Sequence, residues 1–301
     1  MAETSLNWQS KLVLLLVLPV VGTGLVLQIH WWATQYSSVA IWTIGLSLLL
    51  ALVVLKVRAA TLAGATAGAA ITASLMFSTV SFPYEPWHTA LPPVLSVSLL
   101  AWIATRIGRG KKERLGTAEQ RHGRAASQIA ANLGIAALAC SELVQSWLIN
   151  TPSFSQAVSS RVAVLPVSFF ALGLAALAEA AADTVSSELG QVFGGRPRMI
   201  TTLQGAAPGT DGAISIAGTL AGMAAAGIVA AIGTVALRGN ATLFWISGTS
   251  GVFGLFFDSL LGATLERRGW LNNDAVNFLS TCSAAAFALG LTILSLRLGL
   301  R

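Results

Sequence analysis

Apolar residues run along this chain in blocks of about twenty positions, and at about 1.5 Å of helical rise per residue each block could cross a hydrocarbon core about 30 Å thick. Charges, prolines or polar clusters bound the blocks, which cover approximately Lys11–Ile29, Val39–Leu55, Thr61–Val80, Thr89–Thr105, Ala125–Ile149, Val162–Ala182, Gly212–Leu237, Ala241–Thr264 and Ala275–Leu296. The pattern predicts an all-α polytopic membrane protein with about nine transmembrane helices. The first block could also be a signal peptide. No clean small-x-small cleavage site follows it, and His30-Trp31-Trp32 has the character of an interfacial anchor, so an uncleaved helix is expected.

Composition agrees with the pattern. Of 301 residues, 54% are hydrophobic and 10% charged, against roughly 25% charged in an average globular protein. A mean hydropathy of +0.73 leaves too little polar surface for a soluble globule. The 29 glycines suit closely packed membrane helices. Cys140 and Cys282 both fall inside apolar runs, so neither a disulfide framework nor a zinc site is expected. With the N-terminus cytoplasmic and the C-terminus external, fourteen of the eighteen lysines and arginines fall on the inner side and four on the outer. That asymmetry sets the expected orientation. It also accounts for a pI near 10.0 without a nucleic-acid partner.

Polar residues are unevenly placed. Residues 1–60 read as N-terminal scaffold helices and 61–301 as the functional membrane domain, with cytoplasmic loops at 106–124, 183–211 and 264–274. The first four blocks carry almost no ionisable residue. Further on, Arg124, Gln128 and Asn132 recur at helical i, i+4 spacing and form one polar stripe entering the membrane. Arg106, Arg109 and Lys111 fit contact with lipid headgroups. Asp183 and Glu188 close an apolar helix; five residues apart, they diverge by about 140° on an ideal helix, so sharing an ion would require a bend. Gly194-Gly195-Arg196-Pro197-Arg198 and Gly209-Thr210-Asp211-Gly212 follow. Such a glycine-rich loop with arginines suits phosphate oxygens, or is simply a connection. Asp258 lies deep in an apolar block on the face of Gly251 and Gly254, and an intramembrane aspartate points to function. Asn273 and Asn277 form a further i, i+4 pair. Glu142 and Glu179 are set aside as residues able to snorkel or pair locally. His30, His88 and His122 show no ligand spacing. No phosphate-loop lysine motif, H-E-x-x-H, G-x-S-x-G or C-x-x-C occurs.

The pieces KKERLGTAEQRHGRAASQIAAN, ADTVSSELGQVFGGRPRMITT, PGTDGAIS and FFDSLLGAT with NNDAVNFLST stand in an order and spacing that resembles the transmembrane-protein-19 family, over about Thr61 to Leu296. That family includes the phytyl-phosphate kinase of tocopherol synthesis. The resemblance implies a membrane-embedded kinase that converts an isoprenyl monophosphate, of the phytyl or geranylgeranyl phosphate type, to the diphosphate. A nucleoside triphosphate such as CTP would be the donor and Mg²⁺ the cofactor. The family's polar positions fall here on Lys112, Asp183, Glu188 and Asp258 among others. As carboxylates in sequence otherwise stripped of charge, Asp183 and Asp258 with Glu188 are expected to hold the catalytic Mg²⁺, and Lys112 is a further catalytic candidate. Substrate and nucleotide contacts would come from Glu119, Arg124, Gln128, Asn132, Ser187, Arg196, Arg198, Thr201 and Thr202. Gly209, Thr210, Asp211, Gly212, Ser259, Asn273 and Asn277 complete that set. Glu266 and Arg267 follow GATL where glutamine is expected, a departure from the family pattern.

The inventory suits this chemistry. An acceptor that is already a phosphate anion needs no strong base; the barrier lies in bringing two anionic groups together, which arginine, lysine, backbone amides and Mg²⁺ relieve. Two other readings stay open: a different lipid-phosphate transferase or polyprenol kinase, and an ion-coupled transporter or flippase using Asp183 and Asp258. A transporter should carry polar residues to both faces, whereas here they gather towards one. Membrane lipids are expected neighbours, and a homo-oligomer is left open.

Overall fold

The computed structural model describes residues 7–117, 123–151 and 166–298. Three helices come first: α1 (Asn7–Gln35), α2 (Ser37–Lys56) and α3 (Leu62–Ser78). A 3-10 turn at Pro86–His88 leads into α4 (Leu91–Arg106) and the short α5 (Arg109–Leu115). Next are α6 (Ala126–Cys140), α7 (Glu142–Asn150) and the long α8 (Pro166–Phe193). A small antiparallel hairpin pairs β1 (Arg198–Met199) with β2 (Ala213–Ile214), Arg198 opposite Ile214. The chain ends with α9 (Ile216–Ala236), α10 (Ala241–Leu261), a π-helical turn at Gly262–Glu266 and α11 (Asn273–Arg297).

The architecture is all-α apart from that hairpin. Among the described residues six helices are long and apolar enough to cross a membrane, or up to eight if each bent pair counts as one span. The bends are 66° between α4 and α5 and 60° between α6 and α7, and α3 is a shorter apolar helix. Two expected boundaries move. The basic segment after Arg106 is not all loop, because Arg109–Leu115 is helical. The apolar block ending near Ala182 continues as helix to Phe193, so Asp183, Ser187 and Glu188 lie on a helix and not in a loop. Hydropathy falls there, but the polar side chains find partners on neighbouring helices, so the backbone has no reason to leave its hydrogen-bond ladder.

Helix α8 is the axis of the bundle. It packs against α4, α6, α9, α10 and α11, and its stretch from Ala175 to Ala182 is almost entirely buried alanine and leucine. Small side chains let several helix backbones approach one another, which is how association is gained in lipid, where apolar burial alone gives no advantage. Large apolar residues such as Leu15, Leu48, Leu52, Ile216 and Val235 are exposed instead, as expected of surfaces that meet lipid.

Polar contacts separate the two ends. At one end Gln9 Nε2 donates to the Trp270 carbonyl at 2.8 Å and Ser10 Oγ to Asp274 Oδ2 at 2.7 Å. Lys112 joins Glu188 there, and Arg124 meets the α2–α3 turn. At the other end Gln28 donates to Ser78 at 3.2 Å, Thr43 meets Tyr84 at 3.1 Å, and His88 Nδ1 lies 3.1 Å from the Ala236 carbonyl.

Candidate functional site

The site is built at the first of these ends, beginning with Arg124. Its amide donates to the Ala59 carbonyl at 3.0 Å and its carbonyl accepts from Thr61 at 3.0 Å, pinning the entrance of α6 to the α2–α3 turn. Two glycines permit this approach. A Cβ on Gly64 would collide with the Arg124 carbonyl oxygen, and one on Gly123, at φ +77°, would lie 2.6 Å from the Ala59 carbonyl carbon. Gln128, in the first turn of α6, accepts from the Ala125 amide through Oε1 at 2.8 Å, satisfying an exposed helix-start donor. One turn on, Asn132 Nδ2 donates to the Gln128 carbonyl at 2.8 Å.

This stripe forms one wall of a polar cavity of about 150 Å³. The facing wall is α8, which supplies Asp183, Thr184, Ser187 and Glu188; Asn273 and Asn277 close it from the first turns of α11, and Thr117 from the loop after α5. Eight residues expected from sequence therefore line one pocket: Arg124, Gln128, Asn132, Asp183, Ser187, Glu188, Asn273 and Asn277. Thr117 and Thr184 were not anticipated. Thr117 Oγ1 donates to Gln191 Oε1 at 2.6 Å, tying the loop after α5 to α8.

Lys112 stands behind this pocket and does not line it. Its buried ammonium pairs with Glu188 and donates to the Ala104 and Thr105 carbonyls, each at 2.9 Å. All three of its protons thus have protein acceptors, and the last turn of α4 is fastened to α8.

Beneath the pocket lies a group of carboxyls. Asp183 and Asp258 face each other, and Arg124 is the cation next to Asp183. Glu179, set aside in the sequence reading, belongs to this group: it is 1% exposed and adjoins both Asp183 and Asp258. Ser280 sits against the Glu179 and Asp258 side chains while donating to the Asn277 carbonyl at 3.0 Å. Glu179 Oε1 and Asp258 Oδ2 are buried without a hydrogen-bond partner. The glycine face of α10 creates the space, since a Cβ on Gly251 would lie 2.8 Å from Ala178 Cβ and one on Gly254 would strike Glu179 Cγ. Glu179, Asp183 and Ser187 recur at i, i+4, a spacing that could have marked Glu179 from sequence. Glu266 approaches the group from the π-helical turn, beside Asp211 and Asp183.

The hairpin is docked against this assembly. Gly212 packs backbone to backbone on Ala263 and Gly262, Gly209 rests on Thr117, and Arg267 Nη1 reaches Met199 Sδ at 3.5 Å. Arg196, Arg198, Thr201, Thr202, Thr210 and Asp211 do not line the polar cavity. Arg198 Nη1 donates to the Leu203 carbonyl of its own hairpin at 3.0 Å. Ser259 is turned onto the Leu255 carbonyl at 3.3 Å. Glu119 lies outside the described residues. Among the described residues no three His, Cys, Asp or Glu side chains form a metal-holding group. Of the three carboxylates expected to hold Mg²⁺, Glu188 is taken up by Lys112, while Asp183 lines the cavity and faces Asp258 beneath it, Asp258 keeping one oxygen unpartnered.

A second, larger cavity of about 430 Å³ adjoins the first. Helices α2, α3, α4 and α6 wall it with residues such as Leu50, Val54, Gly68, Val97 and Leu133. Its rim carries Arg58, Arg106 and Arg109. Arg106 stacks over Trp102 at 4.4 Å and donates to the Val57 carbonyl at 2.9 Å, while Arg109 pairs with Glu113 at 3.1 Å. Arg124 and Asn132 line both cavities.

A polar pocket over buried carboxyls, joined to an apolar cavity, thus lies within a bundle of helices apolar enough to cross a membrane. The profile of the family described as Integral membrane protein DUF92 matches residues 45–285, and the chain belongs to that family. This is the transmembrane-protein-19-like family that the four motifs resemble. An uncharacterized membrane protein of Methanocaldococcus jannaschii is 43% identical over 36% of this chain and 45% of its own length. An uncharacterized membrane protein of Synechocystis sp. is 31% identical over 66% of this chain and 72% of its own. Protein VTE6, chloroplastic, of Arabidopsis thaliana is 28% identical over 62% of this chain and 54% of its own. The matches thus span about half the length of the archaeal and plant relatives. No solved structure matches the chain.

Proposed function

We propose that this protein is a membrane-embedded phosphotransferase that converts an isoprenyl monophosphate to the diphosphate at the expense of a nucleoside triphosphate, with CTP the first donor to test. One observation carries the reading: Arg124 and Asn132 line the polar cavity and the apolar cavity together, so a lipid whose head is a phosphate and whose body is hydrocarbon would find both environments side by side. The family resemblance, with its phytyl-phosphate kinase, supplies the substrate class. By the positive-inside distribution, the site faces the cytoplasm.

The chain's own groups divide the work. Arg124 holds the acceptor phosphate by charge-assisted hydrogen bonds. Helices α6 and α11 both begin at the pocket, and helix starts favour anions. Gln128, Asn273 and Asn277 offer amide donors. A cavity of 150 Å³ accommodates phosphates and no whole nucleoside triphosphate; the nucleoside lies towards the hairpin, where Thr201, Thr202 and Arg196 are exposed. An oxygen of the acceptor phosphate attacks the terminal phosphorus of the donor. A new P–O bond forms, the bond to the bridging oxygen breaks, and the nucleoside diphosphate leaves with the electron pair. Mg²⁺ held at Asp183 and Asp258 would neutralise charge on the phosphate oxygens. Lys112, behind the pocket, and Glu188, on its wall, hold α4 and α8 in register.

The test supplies purified protein with terminally labelled CTP and a panel of prenols and prenyl monophosphates. Label should appear in prenyl diphosphate made from the monophosphate. Phosphorylation of free prenols alone would make the protein a polyprenol kinase, and no transfer to any lipid would favour transport.

A further inference from the structure

We infer that the apolar cavity between α2, α3, α4 and α6 is a measuring chamber for the hydrocarbon chain of the phosphorylated lipid, and that its inner end sets the chain length accepted. The inference rests on the reading above and adds a determinant of specificity on α2, α3 and α4, away from the phosphate site.

The chamber has one charged end. Arg58, Arg106, Arg109 and Arg124 stand at its mouth, where α2 and α4 finish and α3 and α6 begin. Away from the mouth the lining becomes aliphatic. On α4 the lining residues run from Thr105 inward to Val94, about 17 Å of helix at about 1.5 Å per residue. Val94, Leu50 and Thr72 lie at the inner end on three different helices, so the chamber stops within the bundle. An anionic head at Arg124 with an alkyl chain running inward matches this polarity at every level.

Hydrophobicity alone would not select such a chain. Leaving lipid for a protein cavity exchanges one apolar environment for another, so discrimination has to come from fit. The walls are made for it. Small residues, among them Gly64, Ala65, Gly68, Ala69 and Ala101, line the chamber on α3 and α4. A Cβ on Gly68 would meet only Ile129 Cγ2 at 3.7 Å, an ordinary contact, so this position is empty because nothing fills it and not because backbone forbids it.

The experiment compares geranyl, farnesyl and geranylgeranyl phosphates as acceptors, by turnover and by photocrosslinking with a geranylgeranyl phosphate carrying a diazirine at the chain end. Gly68→Leu should lower the kcat/KM ratio of geranylgeranyl over geranyl phosphate by tenfold or more. Leu50→Ala, which opens the inner end, should raise it, and so keeps the test informative if the leucine variant does not fold. Gly45→Leu, on the exposed face of α2 with nothing within 4 Å, should leave the ratio unchanged. Crosslinks should fall on α3 and α4. Turnover with an unchanged ratio in both chamber variants, or with crosslinks elsewhere, overturns the chamber and leaves the kinase standing. Crosslinks in the chamber that Gly68→Leu abolishes, without turnover of any acceptor, would support the chamber and overturn the kinase. Absence of both signals overturns both.

Discussion

Gly254 of α10 rests so closely on Glu179 of α8 that no side chain fits between them: a Cβ there would strike Glu179 Cγ, and would lie 2.9 Å from Ala284 Cβ and 3.1 Å from the Ser280 carbonyl. The absent side chain is what allows a glutamate to be buried at the centre of three helices. Gly254→Ala should cost about 1–3 kcal/mol through overpacking, read as a lower melting temperature in detergent. Gly290→Ala, with open space around it, should be nearly neutral by the same measurement. Equal melting temperatures for the two variants would mean that the helices are not packed as described.

Lys112 and Glu188 give a second test. Their side chains are 1% and 13% exposed, and removing one member of such a pair leaves an uncompensated charge that costs about 3–5 kcal/mol. Lys112→Met should therefore be strongly destabilising. The double variant Lys112→Met with Glu188→Gln should recover much of the loss, because neither charge is then left alone. A double variant no better than the single one would show that Lys112 acts elsewhere, for instance on the donor's phosphates.

The carboxyl group makes a third prediction. Asp183→Asn and Asp258→Asn preserve shape and remove charge, so both should fold and lose turnover. Any residual activity should need more Mg²⁺ than the wild type. Glu179→Gln belongs in the same series, since Glu179 adjoins both aspartates. Wild-type rate and Mg²⁺ dependence in the two Asn variants would make these carboxylates structural.

How much of this was readable in the chain follows from the geometry of single helices. Arg124, Gln128 and Asn132, and likewise Asn273 and Asn277, lie along one face of one helix, so their i, i+4 spacing was enough to group them. Glu179 was missed although it stands four residues before Asp183, because the glycines that make room for it are on α10 and invisible from its own neighbourhood. The apolar cavity left no trace either: Leu50, Val54 and Val97 line it, yet a leucine facing a cavity and one facing lipid have the same hydropathy. Arg198 shows the opposite limit. Its place in a glycine-rich loop suited phosphate, but the loop folds into a hairpin whose own Leu203 carbonyl takes the guanidinium.

Arg198→Ala should consequently weaken turnover less than Arg124→Ala does. Its hydrogen bond is internal to an exposed hairpin, and losing such a bond costs about 0.5–1.5 kcal/mol. Comparing kcat/KM for the two variants at saturating donor decides the point, and an Arg198 variant at least as impaired would place the hairpin arginine on the phosphates.

The central claim is that a lipid phosphate is held at Arg124, where the two cavities meet, and receives a phosphoryl group there. Single-turnover transfer from terminally labelled CTP to geranylgeranyl phosphate, in the wild type and in Arg124→Ala, tests it most directly. Losing a charge-assisted contact of about 1.5–3 kcal/mol should slow the variant by about one to two decades, with labelled prenyl diphosphate as the product of the wild type. No labelled diphosphate from the wild type, or equal rates in the two proteins, would contradict the account.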